Sequence, residues 1–114
     1  MAESKSDILQ GTLDLMVLQT LEAMGPLHGY GIARRIEQLS EEALVVNQGT
    51  IYLCLIRLVQ RKRITAAWGT SENNRKAKFY SISKAGRKQL KAETENWERV
   101  SGVIGRLLQL TARR

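Results

Sequence analysis

The residues with the clearest chemical potential are the basic ones between Arg57 and Lys91. That window holds eleven Lys or Arg residues and one acidic residue, Glu72, so its formal charge is +10 while the rest of the chain sums to −3. A charge imbalance confined to one stretch predicts a surface that binds polyanions. The expected chemistry is therefore electrostatic recognition of a nucleic-acid backbone, and no bond is made or broken.

A short helical stretch beside this window carries a second group of polar candidates. A helix enters a major groove with its N-terminal residues nearest the bases, because its unpaired amides and positive dipole end lie there. The predicted DNA contacts on this helix are Asn47, Gln48, Gly49, Thr50, Tyr52 and Arg57. Gly49 would let the backbone approach closely, and Arg57 suits a phosphate. The competing interpretation is that Asn47 only caps the helix and that Gln48 and Thr50 are solvated.

A basic hairpin is predicted next along the chain. Ile64–Trp68 and Lys78–Ile82 are β-prone and flank the polar turn Gly69–Lys76, with Arg75-Lys76 at the tip. The predicted contacts of this wing are Arg75, Lys76 and Lys78. Such a wing could straddle a phosphate backbone or enter a minor groove. The alternative is an ordinary solvated turn, but its position beside the basic helix favours the wing.

The sequence contains few residues that could support catalysis or bind a metal ion. His28 is the single histidine and Cys54 the single cysteine, and no Ser-His-Asp set, P-loop or dinucleotide glycine pattern appears. We therefore predict no enzymatic activity, no cofactor and no metal site. His28 is expected to make a structural hydrogen bond, and Cys54 to be a small buried hydrophobe, with redox sensing as a minor alternative.

Periodicity and capping signals predict the elements that position these residues. The helices are expected at Asp7–Met24, Tyr30–Leu39, 47–61 with Asn47 as N-cap, and Lys84–Leu110 with Ser83 as N-cap, and a brief β-prone run at Ala43–Val46. On the third helix, Ile51, Leu55, Leu58 and Val59 form the inner face, whereas Leu53 and Ile56 point outward.

The last helix is predicted to join two subunits. Its apolar residues recur at heptad spacing, which is typical of a helix that packs against another helix. The predicted dimer-interface residues are Leu90, Trp97, Val100, Ile104 and Leu107. Trp97 has a second interpretation as a stacking surface for a planar effector, and the two roles are compatible.

Length and composition limit the possible domain organisation and cellular location of the protein. The 114 residues allow one modest core, and we divide them into a DNA-binding region at 1–82 and a dimerisation helix at 83–114. The N-terminus lacks the features of a secretory signal, and no stretch approaches the about 20 apolar residues of a transmembrane helix. A cytoplasmic protein with no membrane partner is expected.

Several motifs together resemble the PadR family of transcriptional regulators. They are Gly11-Thr12-Leu13-Asp14-Leu15, Gly25-Pro26-Leu27-His28-Gly29-Tyr30-Gly31-Ile32, Gln48-Gly49-Thr50-Ile51-Tyr52, Trp68-Gly69-Thr70-Ser71-Glu72-Asn73-Asn74-Arg75, Lys78-Phe79-Tyr80-Ser81-Ile82-Ser83-Lys84-Ala85-Gly86 and Glu95-Asn96-Trp97. Each motif is weak by itself, but the joint match covers nearly the whole chain.

The resemblance implies a mainly α fold with a small β-hairpin, a winged helix-turn-helix followed by a long C-terminal dimerisation helix. It implies a bacterial homodimer that binds a palindromic operator in double-stranded DNA and usually represses transcription. By position, Tyr30, Gln48, Thr50 and Tyr52 resemble the family's DNA-facing residues, and Arg75 and Lys76 its wing. Trp97 resembles the interface aromatic that lines the site for a small aromatic effector in some members.

Two departures from the family pattern affect operator binding. Leu53-Cys54 replaces the common Pro-Ala, which restores an amide donor and predicts a straighter third helix. The segment 59–63 is more basic than usual, which predicts strong salt dependence.

Two rival functions stay open: a protein–protein adaptor, favoured by the outward Leu53 and Ile56, and a non-specific nucleic-acid or RNA binder.

Overall fold

The chain folds into four helices and a three-stranded antiparallel sheet. The computed structural model describes the backbone of residues 2–112 and the side chains of residues 12–111. The elements are α1 (Ala2–Met24), β1 (Leu27–His28), α2 (Gly29–Leu39), α3 (Gln48–Gln60), β2 (Ile64–Thr70), β3 (Lys76–Ile82) and α4 (Lys84–Ala112), and the strand order is β1-β3-β2. The predicted winged-helix architecture with a long last helix is confirmed.

Some predicted boundaries were wrong. Helix α1 begins at Ala2, five residues before the predicted start at Asp7. Ala43–Val46 forms no strand, since no neighbouring chain segment supplies a hydrogen-bonding partner. The hairpin strands extend further than expected, so the turn is residues 71–75 and Lys76 lies in β3.

One core joins all these elements. Helix α1 contributes Val17, Leu18 and Leu21, which are at most 1% exposed, and Ile32 of α2 is fully buried. Helix α3 contributes Ile51, Cys54, Leu55 and Leu58, and the sheet contributes Ile64, Tyr80 and Ile82. Each large apolar side chain stabilises the fold by roughly 1.5–3 kcal/mol on burial. Val59 was wrongly assigned to this face, because it is 37% exposed and Cys54 takes the inner position.

The start of α4 is fixed against the turn between α3 and β2. The Ser83 hydroxyl oxygen accepts a hydrogen bond from the Gly86 amide at 3.0 Å, and it lies 2.8 Å from the Arg63 carbonyl oxygen, to which it can donate. The predicted N-cap is thereby confirmed. A Cβ atom on Gly86 would collide with the same Arg63 carbonyl, so only glycine fits here.

Helix α4 leaves the core after its first two turns. Leu90 is 8% exposed and belongs to the core of its own subunit. Its assignment to the dimer seam is therefore corrected: heptad spacing alone does not show which repeat packs inside the subunit. Beyond it, Trp97, Ile104 and Leu107 are 50, 49 and 59% exposed. No helix in the described part of the chain is both long and apolar enough to cross a membrane.

Candidate nucleic-acid interface

The N-terminus of α3 is capped as the sequence predicts and faces solvent. The Asn47 side-chain oxygen accepts hydrogen bonds from the Gly49 amide at 2.7 Å and the Thr50 amide at 3.2 Å. Gln48, Gly49 and Thr50 are exposed, and Tyr52 is 59% exposed. The first turn therefore presents polar side chains at the positive end of the helix dipole, an arrangement that favours an anionic ligand.

A carboxylate from α2 holds the segment that leads into α3. Glu37 accepts one hydrogen bond from the Val46 amide at 2.9 Å and another from Arg34 at 2.8 Å. These bonds, first the one from Val46 and then the one from Arg34, lower the pKa of Glu37 below its usual range. Glu41 and Glu42 in the same loop adopt φ values of 55° and 65°, which non-glycine residues rarely do. Glu37 thus fixes a loop that has little intrinsic preference for its shape.

The start of α2 lies beside α3 and the sheet. His28 Nδ1 accepts a hydrogen bond from the Gly31 amide at 3.0 Å, which confirms its structural role as the N-cap of α2. Its ring contacts Phe79 edge-on at 5.5 Å and stacks near Tyr30 at 6.4 Å, as measured between ring centroids. Tyr30 itself is 62% exposed. The histidine therefore orients the chain so that Tyr30 projects into solvent.

The lysines of strand β3 lie on one face of the hairpin β2–β3. At the end of the hairpin away from the turn, the same face packs against the core. Trp68 pairs with Lys78, Thr70 with Lys76 and Ala66 with Tyr80, so these side chains share one face. Tyr80 is buried and Trp68 is exposed, and the face passes from core to solvent along the hairpin. Asn74 in the turn adopts φ 60°, a left-handed conformation that asparagine tolerates.

Six of the ten predicted contact residues meet in a cleft between α3 and this hairpin. The cleft has a volume of about 380 Å³. Its lining includes Tyr30, Gln48, Tyr52, Arg75, Lys76 and Lys78. Asn47, Gly49 and Thr50 lie outside it on the exposed first turn of α3. Burial and, to a lesser extent, neighbouring Tyr52 raise the pKa of Tyr80 on its wall.

Arg57, which the sequence predicts to contact a phosphate, forms an ion pair within the subunit. Its Nη2 atom donates to Asp14 Oδ1 on α1 at 2.6 Å, and this bond raises the pKa of Arg57. Cys54 Sγ donates to the same oxygen at 3.1 Å. Burial, followed by this hydrogen bond, raises the pKa of the Cys54 thiol well above its usual range, so it is a poor nucleophile at neutral pH. The three residues join α3 to α1, and the Arg57 guanidinium is already engaged within the subunit.

A second hollow lies between α1 and α4. Its volume is about 500 Å³, and Thr12, Leu15, Trp97 and Val100 are part of its lining. Half of the Trp97 surface is exposed there. The hollow therefore places a large aromatic ring beside a mixed apolar and polar surface.

Sequence reasoning missed several residues of these surfaces. Trp68 is 64% exposed beside the wing lysines, and Val103, Leu108 and Leu110 add to the exposed apolar side chains of α4. The alternation of residues along β2 could have placed Trp68 on the lysine face. The partnership of Asp14 with Arg57 spans 43 residues and had no local signal.

Comparison with known proteins agrees with this arrangement. The family model described as "Transcriptional regulator PadR-like family" matches residues 17–92. A transcriptional regulator from Clostridium thermocellum is 29% identical with a TM-score of 0.79, over 88% of this chain and 96% of that one. A PadR-like transcriptional regulator from Bacillus cereus is 27% identical with a TM-score of 0.77, over 90% and 97% of the two chains.

A more distant structure was determined with a ligand. PadR of Bacillus subtilis, in complex with operator DNA, is 22% identical to this chain with a TM-score of 0.63. The match covers 72% of this chain and 46% of that one. At this identity the comparison shows the shared fold, and the operator complex is a property of that protein.

Proposed function

This chain belongs to the PadR-like family of transcriptional regulators, and we propose that it is a homodimeric repressor of the bacterial cytoplasm that binds an inverted-repeat operator. Helix α3 enters the major groove, with Gln48, Thr50 and Tyr52 toward the base edges and Asn47 and Gly49 at the backbone. Tyr30 flanks this surface. Arg75, Lys76 and Lys78 on the hairpin contact the phosphate backbone.

One observation carries the proposal: Gln48 and Tyr52 of α3 line the same open cleft as the cations of the hairpin. The groups that could read bases and the groups that neutralise phosphates would therefore meet the same duplex at once. An adaptor would have no need for cations at this position. The exposed apolar Leu53, 64% accessible on α3, is the observation that favours an adaptor.

The dimer is proposed to form through the exposed stripe on α4. Trp97, Val100, Ile104 and Leu107 recur at spacings of three and four residues, so they lie on one side of the helix. A two-fold axis at this stripe would relate two copies of α3. Their half-sites would be about 34 Å apart, one helical turn of B-DNA, or a multiple of that distance.

A small planar aromatic molecule is the proposed effector. The hollow beside Trp97 borders both α1 and the proposed seam, so an occupant could stack on the indole and alter how the subunits meet. The prediction is that such a molecule quenches indole fluorescence and releases DNA from the wild-type protein. Trp97→Ala should remove both responses, and release that persists in this variant would place the effector elsewhere.

Genome-wide mapping of bound sites, followed by binding assays on the recovered motif, tests the function. The double variant Arg75→Glu/Lys76→Glu should lose operator binding, because it reverses two charges at the hairpin. Lys88→Glu/Lys91→Glu is the matched control, since it makes the same change in net charge at exposed positions of α4. Preference for the operator over random duplex should be about a thousandfold or more. Equal binding of every duplex would support the non-specific binder, and full function in the hairpin variant would support the adaptor.

A further inference from the structure

Trp68 is an exposed aromatic residue at a position where a soluble hairpin would ordinarily carry a polar one. It is 64% exposed, whereas Ile64, four residues earlier on the same face, is 2% exposed. The side chain therefore lies beyond the edge of the core. Packing inside the subunit does not account for its size or its apolar character.

Two ammonium groups lie over the Trp68 ring. Lys78 Nζ is 5.5 Å and Lys76 Nζ is 5.7 Å from the ring centroid, both within the range of a cation–π contact. Lys78 is the direct cross-strand partner of Trp68, and Lys76 lies two pairs further toward the turn, in the next pair on the same face. The indole and the two cations thus form one surface on the face that borders the cleft with α3.

The chemistry of this surface fits a sugar–phosphate backbone. An exposed cation–π contact is weaker than a charge-assisted hydrogen bond to phosphate, so the lysines would exchange the indole for phosphates when a duplex arrives. That exchange uncovers the indole next to the deoxyribose that links the same phosphates. The indole ring offers its apolar surface to the apolar edge of the sugar, while the two ammonium groups bind the phosphates on either side of that sugar.

The position along the hairpin favours the sugar over the bases. Trp68 lies within β2, two residues before the strand ends at Thr70, and the turn 71–75 extends beyond it. The turn, being the outermost part, is the segment that could enter a groove. Trp68 lies further back on the hairpin, where a bound duplex would present its sugar–phosphate backbone.

We propose that Trp68, with Lys76 and Lys78, forms a deoxyribose–phosphate subsite on the hairpin, in which the indole packs on the sugar and the ammonium groups bind the flanking phosphates. The inference rests on the proposed DNA-binding function and adds to it a residue that anchors the duplex without reading its sequence. A protein partner is less consistent with the surface, because two cations flank the indole where a protein interface would place further apolar side chains.

Binding of mixed-sequence duplexes of about 30 base pairs, long enough for two half-sites a helical turn apart, tests the proposal over a range of salt concentrations. Trp68→Ala should weaken binding about tenfold at every salt concentration, which corresponds to about 1.4 kcal/mol. The slope of log affinity against log salt should not change, because no charge is lost. Because the proposed dimer carries each lysine twice, Lys76→Ala and Lys78→Ala should each reduce that slope by about 1.8. Trp68→Phe should keep most of the affinity.

Two further comparisons make the test specific. The tenfold loss in Trp68→Ala should be equal on A·T-rich and G·C-rich duplexes, because the sugar is common to both; an unequal loss would overturn the sugar assignment. Wild-type affinity in Trp68→Ala, with the lysine variants impaired, would overturn the subsite and leave the proposed function standing. A wild-type protein that binds no duplex would instead overturn the proposed function. Far-ultraviolet circular dichroism and thermal unfolding of each variant report whether the fold is kept.

Discussion

Arg57 of α3 and Asp14 of α1 form an ion pair with 2.6 Å between Nη2 and Oδ1, and both side chains are less than one quarter exposed. The pair lies between the helix proposed to enter DNA and the helix that packs against α4. Partial burial makes it stronger than a surface ion pair, since water competes less for the charges.

Arg57→Ala should lower the free energy of unfolding by about 2 kcal/mol, because the Asp14 carboxylate loses its cationic partner in a partly buried position. Urea unfolding measures the change. Arg35→Ala, at an exposed position of α2, is the matched control and should change stability by less than about 0.5 kcal/mol. The salt dependence of DNA binding should stay as in the wild type; a slope reduced by about 1.8, one phosphate contact per subunit of the proposed dimer, would support the phosphate contact predicted from the sequence.

Glu37→Gln should remove an acid-sensitive part of the stability. The pKa of Glu37 in the folded chain is lowered from its ordinary value of 4.5, so the ionised carboxylate stabilises the fold above that pH. This contribution is lost as the pH falls through the lowered folded-state pKa. The difference in unfolding free energy between wild type and variant should therefore be largest at pH 7 and shrink in acid.

Urea unfolding at pH 7 and in acid measures that difference. Glu72→Gln, in the hairpin turn, removes one exposed carboxylate that lies outside this loop and should leave stability nearly unchanged at both pH values. A Glu37→Gln difference that stays constant with pH would show that folding does not lower the pKa of Glu37, and that the bonds from Val46 and Arg34 do not favour the ionised carboxylate.

Gly86→Ala should destabilise the fold by about 1–3 kcal/mol, because the added methyl group would push α4 away from the Arg63 carbonyl. Gly105→Ala is the matched substitution in the same helix, and it meets no atom within 4 Å. It should stabilise the helix by up to about 1 kcal/mol. Thermal unfolding of the two variants should shift in opposite directions; equal shifts would contradict the close approach at Gly86.

Ile104→Glu should convert the proposed dimer to a monomer, since it places a charge in the centre of the exposed apolar stripe. Sedimentation equilibrium at micromolar concentration gives the mass directly. Gln109→Glu adds the same charge on the other side of α4 and should remain dimeric. A wild-type protein that sediments as a monomer at that concentration would rule out the dimer.

The sequence was most informative where structure depends on neighbouring residues. Asn47 and Ser83 were identified as caps because each precedes a helical pattern and needs only amides two or three residues away. The long last helix followed from the absence of proline and a sustained apolar period. The cationic hairpin followed from two β-prone runs around a polar turn.

Features that depend on distant residues were missed. Strand β1 has two residues, Leu27 and His28, and exists only because they pair with Tyr80 and Phe79. Ala43–Val46 has similar β propensity and forms no strand, because it lacks such a partner. Leu90 fits the heptad of the dimer seam, yet it packs inside the subunit, since the first turns of α4 lie against α1.

In the proposed dimer, the exposed stripe of α4 would tie regulation to gene dosage. A newly synthesised polypeptide carries this stripe uncovered, and in the proposed dimer only a second copy can shield it. At low abundance the number of assembled pairs rises with the square of the polypeptide number, so halving expression would reduce them about fourfold. Target promoters would then switch over a narrower range of expression than a one-subunit regulator would allow.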